Sequence, residues 1–348
     1  MITSKVAWLR HATEGGNKGL RPLDPNKTRD SKGFRVLASN TARDSKGIRA
    51  LGFKTVWDSK GRSPLGILNK TTGWLCQAVV LLFFVTQTSA ATPLNVVASI
   101  PVLAQFLEEI APGDVAITVL TKPGGSAHVF EPSATQIVEI RRADLFFALP
   151  SLSHERGYLK SIQRLNKQLR VIDLEKEKPV VFANDKDLRG DPHSWMAPAV
   201  LVTMVNRMVS VLSLERPAQS VLYRQRGQVI VQRLMAEDRR MKNALNGVKP
   251  AAFLTYHPSF GYFAKAYGLT QHGLEREGKS ISAAYLRRVL SNSKEAGVTT
   301  FFVHPGLDPA MVSRVTTFMP CRVISVDVLN PDIFAVWRHL TDALAPQH

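Results

Sequence analysis

From residue 94 onward the chain alternates two patterns. Short apolar runs at 94–100, 115–120, 144–149, 169–174, 251–256, 300–303 and 322–326 read as buried strands. Between them, mixed stretches with helical apolar spacing predict helices over 101–110, 132–142, 154–165, 196–214, 259–267, 282–296, 309–318 and 331–344. Pro101 at the first position of its helix fits, because the missing N–H is one that a helix start leaves unbonded anyway. This order is the βαβα pattern of a parallel sheet. One helical stretch is different. From Pro217 to Asn246-Gly247, residues Tyr223, Ile230, Leu234, Met241 and Leu245 form one stripe at steps of seven and four. At 1.5 Å per residue, 217–245 spans about 43 Å, which is long for a crossover inside one lobe and could instead be a rigid strut between two lobes. The expected fold is α/β.

The first 91 residues do not share this pattern. Asp-Ser-Lys-Gly recurs at 30–33, 44–47 and 58–61, every 14 residues, among Gly, Asn, Thr and Arg with few periodic apolar positions. Three such units bury too little to fold, so residues 1–64 are expected to be a disordered basic extension, or one lying upstream of the true translation start. Next come Lys70, the apolar run 78–85, and Thr86-Gln87-Thr88-Ser89-Ala90. A positive residue, an apolar stretch too short to span a bilayer and then small residues is the pattern of a secretory signal, expected at 65–91. This partition changes the meaning of the charge. The whole chain has 45 Lys+Arg against 28 Asp+Glu, net +17, which invites a nucleic-acid reading. Residues 92–348 hold only 30 against 23, and the basic leader offers only the scattered aromatics Trp8, Phe34, Phe53 and Trp57 and no groove-entering helix, so no nucleic-acid partner is expected. Two cysteines, Cys76 and Cys321, exclude a disulfide scaffold and a four-thiolate zinc site.

The chemistry lies beyond the strands. His257 follows the run 251–256, His304 follows 300–303, and Asp327 follows 322–326. His128 sits in the loop after the second strand, and His193 lies in Gly190-Asp191-Pro192-His193-Ser194-Trp195 before a long helix. Open parallel sheets gather ligands beyond the carboxyl ends of their strands, so imidazoles and a carboxylate arriving there make a candidate metal site. Any one of these histidines read alone is more simply a surface or core residue. His154, His272, His339 and His348 are read as surface residues.

Two motifs, Asp191-Pro192-His193-Ser194-Trp195 and His128-Val129-Phe130-Glu131-Pro132-Ser133, occur together with His257-Pro258-Ser259-Phe260-Gly261-Tyr262-Phe263, Tyr267-Gly268-Leu269 and the late Asp327. In combination and order they resemble the periplasmic substrate-binding proteins of zinc and manganese ABC transporters, over residues 93–345. The resemblance implies two parallel-sheet lobes, 92–216 and 248–348, joined by a rigid long helix at 217–247. It implies one metal site in the interlobe cleft, with His128 and His193 from the first lobe and His257 and Asp327 from the second. It implies a monomeric periplasmic protein, not an enzyme, that delivers its ion to a membrane permease with its ATPase. Three imidazoles and one carboxylate suit tetrahedral Zn²⁺ better than Mn²⁺, the alternative, which prefers more oxygen. Glu131 and the backbone near Gly261 are candidates to orient the imidazoles.

The chain departs from that family's pattern in places. His304 stands where a Glu is usual, either as an additional ligand or as a cleft residue that does not bind. Residues 175–189, where zinc members often carry a His-rich loop, contain no His. Two rival readings stay open: a zinc hydrolase, with Glu131 or His304 as base and no HExxH-type pair, and a metal-binding adhesin or storage module on the same scaffold.

Overall fold

The structure is a computed structural model that describes residues 92–125, 131–183, 185–275 and 282–345. The expected leader and signal at 1–91 lie outside the described residues, as does His128. The first lobe runs β1 (Leu94–Ala98), α1 (Pro101–Ile110), β2 (Val115–Val119), α2 (Ala134–Arg142), β3 (Leu145–Ala148), α3 (Ser153–Leu165), β4 (Arg170–Asp173), α4 (Val180–Ala183) and α5 (Pro198–Glu215). Next comes α6 (Ser220–Leu245). The second lobe runs β5 (Ala252–Thr255), α7 (Gly261–Ala266), β6 (Thr270–Gly273), α8 (Ala283–Glu295), β7 (Thr300–Val303), α9 (Pro309–Phe318), β8 (Arg322–Ser325) and α10 (Ile333–Leu344).

Each lobe holds one parallel four-stranded sheet, ordered β2-β1-β3-β4 and β6-β5-β7-β8. The two orders are equivalent. In both, the first strand of the lobe is interior and the chain then builds outward on either side of it. That places a topological switch point beside β1 and beside β5, where loops part and leave a crevice. His257 emerges two residues past β5, at the switch point of the second lobe.

Three expectations need correcting. Residues 270–273 form a strand that was not expected, because Thr270, Gln271 and His272 lack an apolar run. They pair as the edge partner of β5, and edge strands tolerate polar residues. His272 is accordingly half-buried rather than on the surface, its Nδ1 2.8 Å from Ser293 Oγ, and burial lowers its pKa. The long helix also starts later than Pro217. A 3₁₀ turn at Pro217–Gln219 precedes it, so the α-helix has 26 residues and spans about 39 Å.

The stripe on α6 faces inward as its spacing predicts: Tyr223, Ile230, Leu234, Met241 and Leu245 are all buried. Its two ends are tied to different lobes. Near its start the Tyr223 hydroxyl donates to Asp114 Oδ2 at 2.9 Å and Arg226 donates to the Ile110 carbonyl at 3.2 Å. Near its end Asp238 Oδ1 accepts from the Tyr267 hydroxyl at 3.0 Å. Burial and the adjoining carboxylate push the Tyr223 phenol up to about 12 and raise that of Tyr267 as well. Between these ties α6 packs along α5, whose Val200, Leu201, Met204, Val205, Met208, Val211 and Leu212 are buried. Gly227 makes the close approach possible, because a Cβ there would collide with Val209 Cγ2.

One apolar core therefore runs through both lobes, from Val96 and Phe147 through Trp195 and Tyr223 to Phe253, Phe302 and Trp337. Smaller clusters cover the outer face of each sheet. Two indoles cross the shared core. Trp195 Nε1 donates to the Val328 carbonyl at 3.0 Å, and Trp337 Nε1 donates to the Met196 carbonyl at 2.9 Å.

One acid is buried whole in the first lobe. Glu155, in the first turn of α3, is 0% exposed, and its Oε2 accepts from the Leu149 amide at 2.7 Å. Burial, with the nearby charges of Glu175 and Asp173, pushes its carboxyl up to about 8 against the opposing hydrogen bonds from Ser99 and Leu149.

Two outcomes are expected. Gly227→Ala should destabilise by about 1–3 kcal/mol in urea unfolding, because the overpacking outweighs the gain in helix propensity. Glu155 binds its proton more tightly folded than unfolded, so wild-type stability falls as pH rises from the ordinary carboxylate range through about 8. Glu155→Gln removes that slope. Its stability relative to wild type should grow between about pH 5 and about pH 8, by up to about 1.4 kcal/mol per pH unit. Parallel denaturation curves at the two pH values would contradict this.

Candidate functional site

The turn that carries His193 is built around Asp191. Asp191 Oδ1 accepts from the His193 backbone amide at 2.9 Å and lies 2.8 Å from His193 Nδ1. A carboxylate can only accept, so this contact places the ring proton on Nδ1 and the lone pair on Nε2. His193 is 1% exposed and leads directly into a 3₁₀ turn at Ser194–Met196. Glu175 holds that turn from behind: its Oε1 accepts from Ser194 Oγ at 2.9 Å and its Oε2 from the Ser151 amide at 2.7 Å.

His257 is held the same way from the second lobe. Its Nδ1 lies 2.8 Å from Glu275 Oε2, which sets the same tautomer. Thr255 Oγ1 donates to the His257 carbonyl at 2.6 Å and fixes the bend after β5. Burial and the neighbouring His193 lower the His257 pKa, and Glu275 opposes them only in part, so the neutral ring is favoured.

The structure brings these two histidines together across the lobes. Their ring centroids are 5.3 Å apart and the planes cross at 72°. Asp327 reaches across too, but to the backbone. Its Oδ2 accepts from the Gly124 amide at 2.7 Å and its Oδ1 from the Leu329 amide at 2.9 Å. Gly124, at φ +72°, sits in the loop that leads towards position 128. Trp195 and Val328, each next to this machinery in sequence, are joined by the indole bond described above. His304 is exposed, with its ring 5.8 Å from that of Tyr256 and its Nδ1 2.9 Å from the Pro305 carbonyl. Among the described residues no three His, Cys, Asp or Glu side chains are gathered closely enough to hold a metal ion. Two imidazoles with oriented Nε2 atoms are in place, and the loop containing His128 lies outside the described residues.

Asp191 and Glu275 orient the two described imidazoles, in the carboxylate–imidazole pairing that usually steadies a metal-binding histidine. Glu131 is exposed, and His128 lies outside the described residues. Asp191 was visible two residues before His193. Glu275 was not, because it follows the edge strand β6. Gly261 matters through what it lacks: a Cβ there would run into Asp191 Oδ2 and press on Leu188.

Comparison with known proteins bears on this arrangement. The family model described as zinc-uptake complex component A, periplasmic, matches residues 96–345. The zinc-binding lipoprotein AdcA of Streptococcus pneumoniae is 25% identical over 283 residues, covering 75% of this chain and 55% of that protein. The chain thus spans about half the length of the curated relatives that it matches first. Among solved structures, a zinc-bound deletion mutant of ZnuA superposes with a TM-score of 0.66 at 22% identity, covering 74% of this chain and 100% of that one. A Mn-bound periplasmic metal-binding protein from candidatus Liberibacter asiaticus gives 0.62 at 18% identity, covering 72% and 98%. These two likenesses establish the two-lobed α/β fold. The relatives are named as binding proteins, not as enzymes. With the match spanning both lobes and both histidine turns, the chain belongs to the family of zinc-uptake complex component A, the periplasmic metal-binding components.

Proposed function

We propose that this chain captures one divalent transition-metal ion, Zn²⁺ in preference to Mn²⁺, outside the cytoplasm and delivers it to an ABC permease with its ATPase. The observation that carries the reading is the His193–His257 pair: two imidazoles from different lobes, ring centroids 5.3 Å apart, each with Nδ1 on its own carboxylate. Nitrogen donors with oriented lone pairs suit zinc, and an imidazole must be neutral to bind a metal, which the burial of His257 favours. In this reading His128 and Asp327 complete the ligand set, and the bond from Gly124 to Asp327 draws the loop before His128 towards the second lobe. His304, exposed and turned to its own neighbour's carbonyl, is left outside it. Family membership and the zinc-binding names of the relatives support the same cargo, and the family's periplasmic description supports export by a signal at 65–91.

Calorimetric titration of the purified chain with Zn²⁺ should give about one site per chain, lost in His193→Ala and His257→Ala. A stoichiometry near zero in the wild type would sink the reading, and metal-dependent ester hydrolysis abolished by His193→Ala would favour a hydrolase. Gly261→Ala should weaken zinc binding by roughly 10–100-fold, because the new methyl displaces Asp191 from His193. Wild-type affinity in that variant would show that Asp191 does not orient the imidazole.

A further inference from the structure

The stretch before His193 does something that neither its composition nor the ligand set explains. Several side chains from 175–183 and 185–191 converge on one six-residue helix of the other lobe, α7. Lys178 Nζ, paired with Glu175 at 2.6 Å, lies 3.2 Å from the Tyr262 hydroxyl. Phe182 packs its ring on that of Tyr262, with centroids 5.5 Å apart. Asp185 pairs with Lys265 at 2.6 Å. Leu188 and Asp191 close on Gly261. The two ends of this strap are significant. At one end Glu175 holds Ser194, the neighbour of His193, and at the other Asp191 holds His193 itself. The helix that it grips begins four residues after His257.

We propose that residues 175–183 and 185–191 form an interlobe clasp on α7 that sets the His193–His257 spacing before a divalent cation arrives and governs how fast the cation leaves. Lys178, Tyr262, Asp185 and Lys265 are positioning residues in this scheme and do not touch the ion. The inference rests on the metal-binding reading of the two histidines. The lobes do not need the clasp in order to fold. They already share one apolar core and two crossing indole bonds, whereas the Asp185–Lys265 pair is partly open to solvent and adds little to global stability. A loosened clasp would instead let the Tyr262 end of α7 drift, and His257 with it. A ligand held less rigidly loses its ion faster, as it does when outer partners of metal ligands are removed.

The test is the release of Zn²⁺ from the loaded full chain into a chromogenic chelator, followed by stopped flow. Tyr262→Phe combined with Lys265→Gln removes both polar ties and keeps the packed ring. It should release Zn²⁺ roughly tenfold faster than wild type, with the metal-free melting temperature little changed. Lys265→Arg, which keeps the pair with Asp185, should release at the wild-type rate. With Co²⁺ as probe, the double variant should show a broadened visible spectrum, reporting a less uniform coordination geometry. Release at the wild-type rate in the double variant overturns the clasp, as does a rate that merely follows a matching loss of metal-free stability. Should the double variant fail to fold, Tyr262→Phe alone is read, and wild-type release there overturns the proposal. A wild-type chain that takes up no Zn²⁺ overturns the metal-binding reading, and the clasp with it.

Discussion

The arrangement of this protein depends on one apolar core being shared by two lobes. Each four-stranded sheet has its own outer cluster, but the inner faces meet through α5 and α6 in a single packed body. Burial of large side chains such as Trp195, Tyr223, Phe253 and Trp337 supplies the non-directional attraction. The directional part comes from indole N–H groups that donate to carbonyls 133 and 141 residues away. A buried donor or acceptor left unmatched costs more than a mismatched methyl, so these bonds set the register between lobes that packing alone would leave loose. Trp195 follows the His193 turn and Val328 follows Asp327, so the same bond that registers the lobes also registers the functional loops.

On that frame, the chemistry is built by carboxylates acting on imidazoles. Asp191 and Glu275 are each 2.8 Å from an Nδ1, and both histidines thereby present the same nitrogen. The symmetry is one of function rather than of sequence: one carboxylate precedes its histidine by two residues, and the other follows by 18. Two local solutions to the same problem meet at the mouths of two sheets with equivalent strand order.

Much of this was legible in the residues. The apolar runs located the interior strands, because an interior parallel strand is apolar on both faces. The stripe at Tyr223, Ile230, Leu234, Met241 and Leu245 identified the inward face of α6. His193 and His257 could be nominated from their places beyond strands and within motifs. What could not be read depended on the other lobe. Thr270-Gln271-His272-Gly273 becomes a strand only because β5 offers an edge. Glu275 finds its role only once that strand has turned the chain back. Residues 175–191 look like a charged surface loop until Tyr262 and Lys265 are placed against them. Pairings of this kind join residues some 80 positions apart, and local periodicity carries no trace of them.

The long helix has a mechanical consequence. Helices bend at prolines, at glycines and at bulges. The interior of α6 contains no proline, and its glycine, Gly227, is wedged against Val209. The rod therefore has no joint. If the proposed metal capture holds, whatever admits the ion and lets it go must work at the level of loops, turns and one short helix, not by swinging one lobe away from the other. A receptor that tells the filled protein from the empty one would then read the texture of a small patch around the cleft rather than the outline of the molecule.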